Sequence, residues 1–369
     1  MRVPWQATAD ESGWAQLLAL PLAPLAGLYR LGAWIDRGRY KVGLAKTRKV
    51  DARVVSVGSL VVGGSGKTPM ASWLAEQLHR RGVKVALLSR GYGGRSKNAV
   101  TVVSDGSTIF ARPDQAGDEP VMLAGQVAGV PVVVGKDRGL AALRAIALSS
   151  ADVLVLDDGF QHYGLHRDLD IVTFDGAFGV GNGSVLPRGP LRESLSGLAR
   201  VDAVGVLDDE LPASLAKSID ALAPDAYRFG ARRVAVSLRS LDASVCVSPN
   251  VLRGMKVGMM AGIARPASLR ESLEALGAEV VAHRTFPDHH RYRQRDLRGL
   301  SEEAEVWITT EKDAGKILPS WARGPNGNAD VRVLGVRLSV NEPEAFMDWL
   351  ASRLELDTTP PYEQPCSAR

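Results

Sequence analysis

Between a short apolar strand, Val54–Val57, and a helical stretch from about Met70 to Arg81 lies Gly63-Gly64-Ser65-Gly66-Lys67-Thr68. A phosphate-binding loop requires that context. Glycines let backbone N–H groups turn inward onto phosphate oxygens, and the helix N-terminus adds positive potential. Lys67 would reach the β- and γ-phosphates and Thr68 would hold Mg²⁺, so ATP and Mg²⁺ are expected. Val61 stands where the general pattern has glycine, and the doubled glycine Gly63-Gly64 supplies the flexibility instead. A merely structural Gly-rich turn is the plainer reading, but Gly-Lys-Thr between strand and helix weighs against it.

Two acidic pairs accompany this loop. Val153–Leu156 is an apolar strand ending in Asp157-Asp158, where an enzyme with a phosphate loop keeps its metal-side acid. The same pair could simply open a turn with Gly159. Gly117-Asp118-Glu119-Pro120 sits at the mouth of a helix, where acids are ordinary caps. A kinase, however, needs a carboxylate to accept the acceptor hydroxyl's proton, and this pair is a candidate. Arg90 in Ser89-Arg90-Gly91-Tyr92-Gly93-Gly94, and Arg188 and Arg192 in Leu186–Glu193, lie in flexible backbone suited to gripping phosphate. Either stretch could equally be a loop with a salt bridge. His162 and His166 are spaced as metal ligands on a helix would be, yet no third ligand accompanies them, which favours surface histidines.

The elements that must position these residues alternate strand, turn and helix from residue 52. Strands are expected at Val83–Leu88, Val100–Val103, Val130–Val134, Asp170–Phe174 and Ala203–Leu207, with helices at Glu119–Ala128 and Asp137–Leu148. That alternation predicts an α/β fold: a doubly wound, mostly parallel sheet of the P-loop NTPase type. The basic, β-like stretch Phe229–Leu241 reads as a linker to a second, smaller α/β domain. Its expected parts are strands Val257–Ala261, Glu279–Thr285, Val306–Thr310 and Val331–Leu338, and helices Ala267–Leu276 and Glu344–Leu354. The boundaries are a membrane-associated N-terminal segment (1–50), a P-loop domain (51–230), the second domain (240–356) and a disordered tail (357–369).

The chain has 369 residues, ample for two cores, with 45 Lys and Arg against 41 Asp and Glu. This mild basic excess, without a basic arm or zinc-finger spacing, argues against nucleic acid and fits a phosphorylated ligand or anionic membrane. Cys246 and Cys366 are far apart, so a disulfide framework is not expected and the compartment reads as reducing. From Trp14 to Ile35 the chain is mostly apolar, interrupted by Gln16, Pro21, Pro24 and Arg30. The two prolines should break a spanning helix. Arg37, Arg39, Lys41, Lys46, Arg48, Lys49 and Arg53 follow, a pattern shared by a helix in an anionic interface and by a helical pair on its own domain.

Seven stretches in order resemble the tetraacyldisaccharide 4'-kinase (lipid A 4'-kinase) family over nearly the whole chain. They are Val57–Pro69, Ser89–Gly93, Gly117–Pro120, Asp157–His162, Leu186–Glu193, Phe286–His289 and Thr310–Asp313. Ser59 stands where the family more often has Asn, which bears on the loop's local hydrogen bonding. The resemblance implies transfer of the ATP γ-phosphoryl to the 4'-hydroxyl of a lipid A disaccharide 1-phosphate, giving lipid IV-A. It places the enzyme on the cytoplasmic face of an inner membrane, with an anionic surface as partner and no obligate protein partner inferred. It also implies roles: Lys67 and Thr68 on nucleotide and metal, Asp118 as catalytic base and His289 as its partner. Glu119, Asp157, Asp158 and Glu193 become the acids around Mg²⁺, and Arg90, Arg188 and Arg192 contacts to substrate or phosphate. Two other readings stay in view, a regulatory P-loop GTPase and a membrane-bound nucleotide-binding scaffold. The first would need Lys at 311 for a guanine-reading motif, and Glu311 stands there.

Overall fold

The computed structural model describes residues 20–322 and 329–358, so the first 19 residues and nearly all of the expected tail lie outside them. In chain order the helices and strands are α1 (Ala23–Lys41), β1 (Arg53–Gly58), α2 (Lys67–Arg80), β2 (Val85–Ser89) and β3 (Val100–Ser104). Next come α3 (Pro113–Ala116), α4 (Asp118–Gln126), β4 (Val132–Gly135), α5 (Arg138–Ser149), β5 (Val153–Asp157) and β6 (Leu169–Asp175). They are followed by β7 (Ala203–Leu207), α6 (Ala213–Leu222), β8 (Tyr227–Ser240), β9 (Cys246–Val247), β10 (Lys256–Ala261) and α7 (Pro266–Ala275). The chain ends through β11 (Glu279–Thr285), α8 (Leu300–Glu303), β12 (Val306–Thr310), α9 (Glu311–Ala314), α10 (Pro319–Ala322), β13 (Asp330–Val340) and α11 (Pro343–Leu354).

All thirteen strands join one sheet, in the order β11-β10-β12-β13-β8-β7-β6-β1-β5-β2-β4-β3, with β9 beside β8. The strands around the phosphate loop are parallel and buried on both faces, which is why β1, β5 and β6 read as apolar runs. Alternation along β1 sends Val55 and Val57 to one face, where Met70, Leu74 and Leu78 of α2 cover them. Val54 faces the other side, under Ala141, Ala142 and Ala145 of α5.

The segment expected as a linker is instead the fourteen-residue strand β8. Its first five residues pair in parallel with β7, from Tyr227 to Ala231. It also pairs antiparallel with β13, from Ala231 against Val340 to Ser240 against Arg332. Because β12 pairs in parallel with β13 and ends level with Leu334, opposite Leu238, the second block of strands points back at the first. The carboxyl ends of the two blocks therefore face each other. The ribbon between Ala231 and Leu238 separates them by about 23 Å at ~3.3 Å per residue. Ligands of open α/β sheets bind beyond the carboxyl ends of the strands, and here two such edges share one cleft.

The last helix departs from the expected domain division. α11 returns to the first block, where Phe346, Met347, Leu350 and Leu354 join the core of Val55, Val57 and Leu74. The Phe346 ring lies 5.7 Å from Trp73 and 4.6 Å from Phe229. Its apolar stripe was legible, but the sequence carries no mark of which block it covers.

At the other end, α1 is one unbroken helix of nineteen residues. Pro24 falls in its first turn, where a missing N–H costs nothing, rather than breaking it. No helix among the described residues is long and apolar enough to cross a membrane. Only Ala26 of α1 is buried, while Leu25, Leu28, Leu31, Trp34 and Ile35 are exposed.

Candidate active site

The phosphate loop leaves β1 and enters α2 through Gly66, which adopts a left-handed conformation (φ 79°). A β-carbon there would strike Leu207, so glycine is required both by the turn and by the close approach of β7. Val61, the departure from the general pattern, is clamped into place. Its N–H donates to Ser59 Oγ at 3.1 Å, and the N–H of Val62 donates to the carbonyl of Pro190 at 2.9 Å. Ser59 thus performs the loop's local hydrogen bonding. The buried hydroxyl of Ser65 has no partner among the described residues, as expected of a donor lining a phosphate cradle.

Thr68 Oγ1 lies 3.1 Å from Asp157 Oδ1, so the loop's hydroxyl and the carboxylate at the end of β5 meet. Burial, reinforced by the charges of Glu119 and Asp158, pushes the Asp157 carboxyl up to about 7. A carboxylate so destabilised by its surroundings favours a cation beside it. Asp158 faces the other way. Arg192 Nη1 approaches its two oxygens at 2.7 and 2.8 Å, and Lys67 Nζ stands 4.0 Å off.

Of the five expected metal-side residues, Glu193 has its own set of partners. It pairs with Arg200 at 2.7 Å and accepts from Gln161 at 2.9 Å, so its charge is already matched. Among the described residues no three His, Cys, Asp or Glu side chains are grouped to hold a metal unaided. A Thr hydroxyl with one or two carboxylates nevertheless suits Mg²⁺, which takes few protein oxygens and completes its shell with phosphates and water. The histidine pair does not offer an alternative site: His162 is pushed down to about 4 by burial and by Arg138, while His166 is exposed near Asp168.

The acceptor side is built where α4 begins. Gly117 (φ 95°) lets that helix start hard against the Ser89–Gly93 stretch, since a β-carbon on it would lie 2.5 Å from the Tyr92 carbonyl. Asp118, in the first turn, is 9% exposed. From the second block, His289 reaches across the cleft to place Nδ1 3.1 and 3.0 Å from the two Asp118 oxygens. Burial alone would raise the Asp118 carboxyl, but the His289 hydrogen bond and the Lys312 and Lys316 ammonium groups outweigh it and hold it at about 2. The same bond raises His289 above its ordinary range, against the opposing effect of burial.

Sequence reasoning missed the lysines. Lys312 Nζ bridges Glu119 at 3.2 Å and Asp288 at 3.0 Å, and Lys316 Nζ bridges Asp118 at 3.5 Å and Asp313 at 2.8 Å. The signal for Lys312 was the Thr310–Asp313 motif itself, which was noted without a role, whereas Lys316 lies beyond that motif. Among the arginines, Arg192 faces Asp158, Arg90 is exposed beyond β2, and Arg188 sits half-buried with its carbonyl accepting from Asn182.

A phosphate loop alone would fit a switch or a scaffold, but a carboxylate–histidine pair spanning the cleft belongs to a P-loop phosphotransferase. The family model for tetraacyldisaccharide-1-P 4'-kinase matches residues 18–355. A tetraacyldisaccharide 4'-kinase of Anaeromyxobacter sp. is 40% identical over 342 residues, covering 90% of each chain. That of Geobacter sulfurreducens is 39% identical over 321 residues, covering 86% of this chain and 90% of its own. The crystal structure of Aquifex aeolicus LpxK in complex with ATP superposes with a TM-score of 0.73 at 30% identity, covering 91% of this chain and 99% of that one. The chain belongs to the tetraacyldisaccharide 4'-kinase family.

Proposed function

We propose that this kinase transfers the γ-phosphoryl group of ATP to the 4'-hydroxyl of a lipid A disaccharide 1-phosphate, with Asp118 as base and His289 as its partner. The observation that carries the reading is the contact of His289 with both Asp118 oxygens from the opposite side of the cleft. The 4'-oxygen forms a bond to the γ-phosphorus while the bond to the β,γ-bridging oxygen breaks, and ADP leaves with that electron pair. The hydroxyl proton passes to Asp118. A solvated carboxylate is a poor base for a sugar hydroxyl, and His289 orients this one and shares the charge that develops.

Gly63, Gly64, Ser65 and Gly66 cradle the phosphates, and Lys67 moves from Asp158 to the β/γ oxygens when nucleotide arrives. Thr68 and Asp157, with Glu119 and Asp158 nearby, would hold Mg²⁺, which when bound neutralises charge on the β- and γ-phosphate oxygens. Arg90, Arg188 and Arg192 are assigned to substrate or phosphate contacts.

The exposed apolar face of α1 supports docking on the cytoplasmic face of the inner membrane. Arg37, Arg39, Lys41, Lys46, Arg48 and Lys49 at its end are all exposed, ready to meet anionic headgroups. Burial raises the Tyr29 hydroxyl of α1, and the nearby charges of Arg192 and Glu193 also act on it.

Purified protein, ATP labelled at the γ-phosphate and the disaccharide 1-phosphate in mixed micelles give a direct test. Thin-layer chromatography should show label on the 4'-position. Turnover of ATP without labelled lipid, or a preference for GTP, would sink the assignment.

A further inference from the structure

The Thr310–Asp313 motif is not absorbed by the reading above. Two of its members have structural work. Thr310 accepts from the N–H of Asp313 at 3.2 Å and donates to Asp313 Oδ2 at 3.1 Å, closing the turn after β12. Asp313, fully buried, also accepts from the N–H of Gly262 at 2.7 Å and so ties that turn to the end of β10. Lys312 takes no part in this knot. Its ammonium leaves the second block and crosses to Glu119 on α4.

Its placement is unusual for a lysine. The side chain is only 13% exposed, and its two partners, Glu119 and Asp288, each adjoin a member of the Asp118–His289 pair. Burial pulls its pKa down, but Glu119 first, then Asp288 and Asp118, outweigh that and raise it. Glu119 in turn is the largest charge acting on Asp157, which holds Thr68 of the phosphate loop. Lys312 is thus linked through Glu119 and Asp157 to Thr68 of the phosphate loop, next to Lys67.

We infer that Lys312 is a catalytic cation supplied by the second block, leaving Glu119 for a γ-phosphoryl oxygen of bound ATP. This rests on the kinase reading of the same site. The acids around Asp157 would turn toward the cation that accompanies the nucleotide, and the ammonium, still held by Asp288 at 3.0 Å, would exchange Glu119 for the incoming γ-phosphate. A cation in that place neutralises charge on the transferring group, the role of an arginine finger supplied in cis. It also lets closure of the cleft depend on the third phosphate, because ADP offers Lys312 nothing to exchange for Glu119.

The test needs no acceptor. Binding of a non-hydrolysable ATP analogue and of ADP, each with Mg²⁺, is measured by calorimetry on the full-length protein and on Lys312→Met. The native enzyme should prefer the analogue by about tenfold, the worth of one charge-assisted hydrogen bond. In Lys312→Met that preference should vanish, with ADP affinity within about twofold of native. With acceptor present, kcat should fall roughly 10²-fold, and Lys312→Arg should recover part of both losses. Lys312→Gln, which can still hydrogen-bond Glu119, gives the same reading should methionine unsettle the fold. Equal weakening of analogue and ADP, or an unchanged preference, makes Lys312 a structural tie and overturns the proposal. Failure of the lipid-kinase reading would show only in the transfer assay, so the two are separable.

Discussion

His289 Nδ1 lies 3.0 Å from Asp118 Oδ2, although 171 positions separate the two residues in the chain. One stands at the start of α4 beneath the first block's carboxyl edge, the other beyond β11 in the second. Only the opposed edges held apart by β8 and β13 bring them together. Asp118→Ala and His289→Ala should each lower kcat by roughly 10². The double variant should be little worse than the poorer single one, because members of one unit are non-additive. Multiplicative losses would show that the two act separately. His290, bonded to Asp296 and stacked on Phe286, faces elsewhere, and His290→Ala should be mild.

The pair also sets a pH dependence. A protonated His289 already carries the proton that the pair must accept, so activity should rise as pH climbs through its raised pKa, above 6.5. Stability moves the other way there. The His289 contribution is complete below 6.5 and is lost as pH rises through the raised value. The Asp118 contribution is present above 3.8 and lost only as pH falls toward about 2. Profiles of kcat and melting temperature should therefore diverge above pH 6.5, and His289→Asn should abolish that divergence. A flat rate profile through that window would remove His289 from the proton path.

Membrane contact should depend on side chains rather than on spanning. Leu28 is 66% and Trp34 70% exposed, yet both are large and apolar. Replacing either with Glu should weaken sedimentation with phosphatidylethanolamine–phosphatidylglycerol vesicles by roughly tenfold or more, from a burial worth of about 1.5–3 kcal/mol. Nucleotide affinity should not change, since the phosphate loop is not part of α1. If both variants sediment like the native protein, the anchor lies elsewhere.

The return of α11 makes a stability prediction. Phe346→Ala empties a fully buried site among Trp73, Tyr227 and Phe229, and should cost about 3–5 kcal/mol. Denaturant unfolding should report that loss in the phase that also releases nucleotide binding, because Trp73 lies on the helix that opens with Lys67 and Thr68. Loss confined to a separate second-block transition would contradict the shared core.

The amino-acid sequence by itself determined the local chemistry. Gly63–Thr68 between strand and helix, Asp157 at a strand end and Asp118 at a helix start are short-range patterns, and the backbone honours each of them within its own element. Tertiary structure decided everything that depends on which edge faces which. The stretch from Phe229 to Leu241 shows no strong apolar alternation because the middle of β8 spans an open cleft instead of a core, so it read as a linker. α11 looks the same from its periodicity whichever block it covers. Glu193 reads as a metal-side acid from its place in a motif, and its ion pair with Arg200 is one that no spacing encodes. Lys312 was invisible for the same reason: a charged side chain acquires its meaning from partners that the chain brings near only after both blocks have folded.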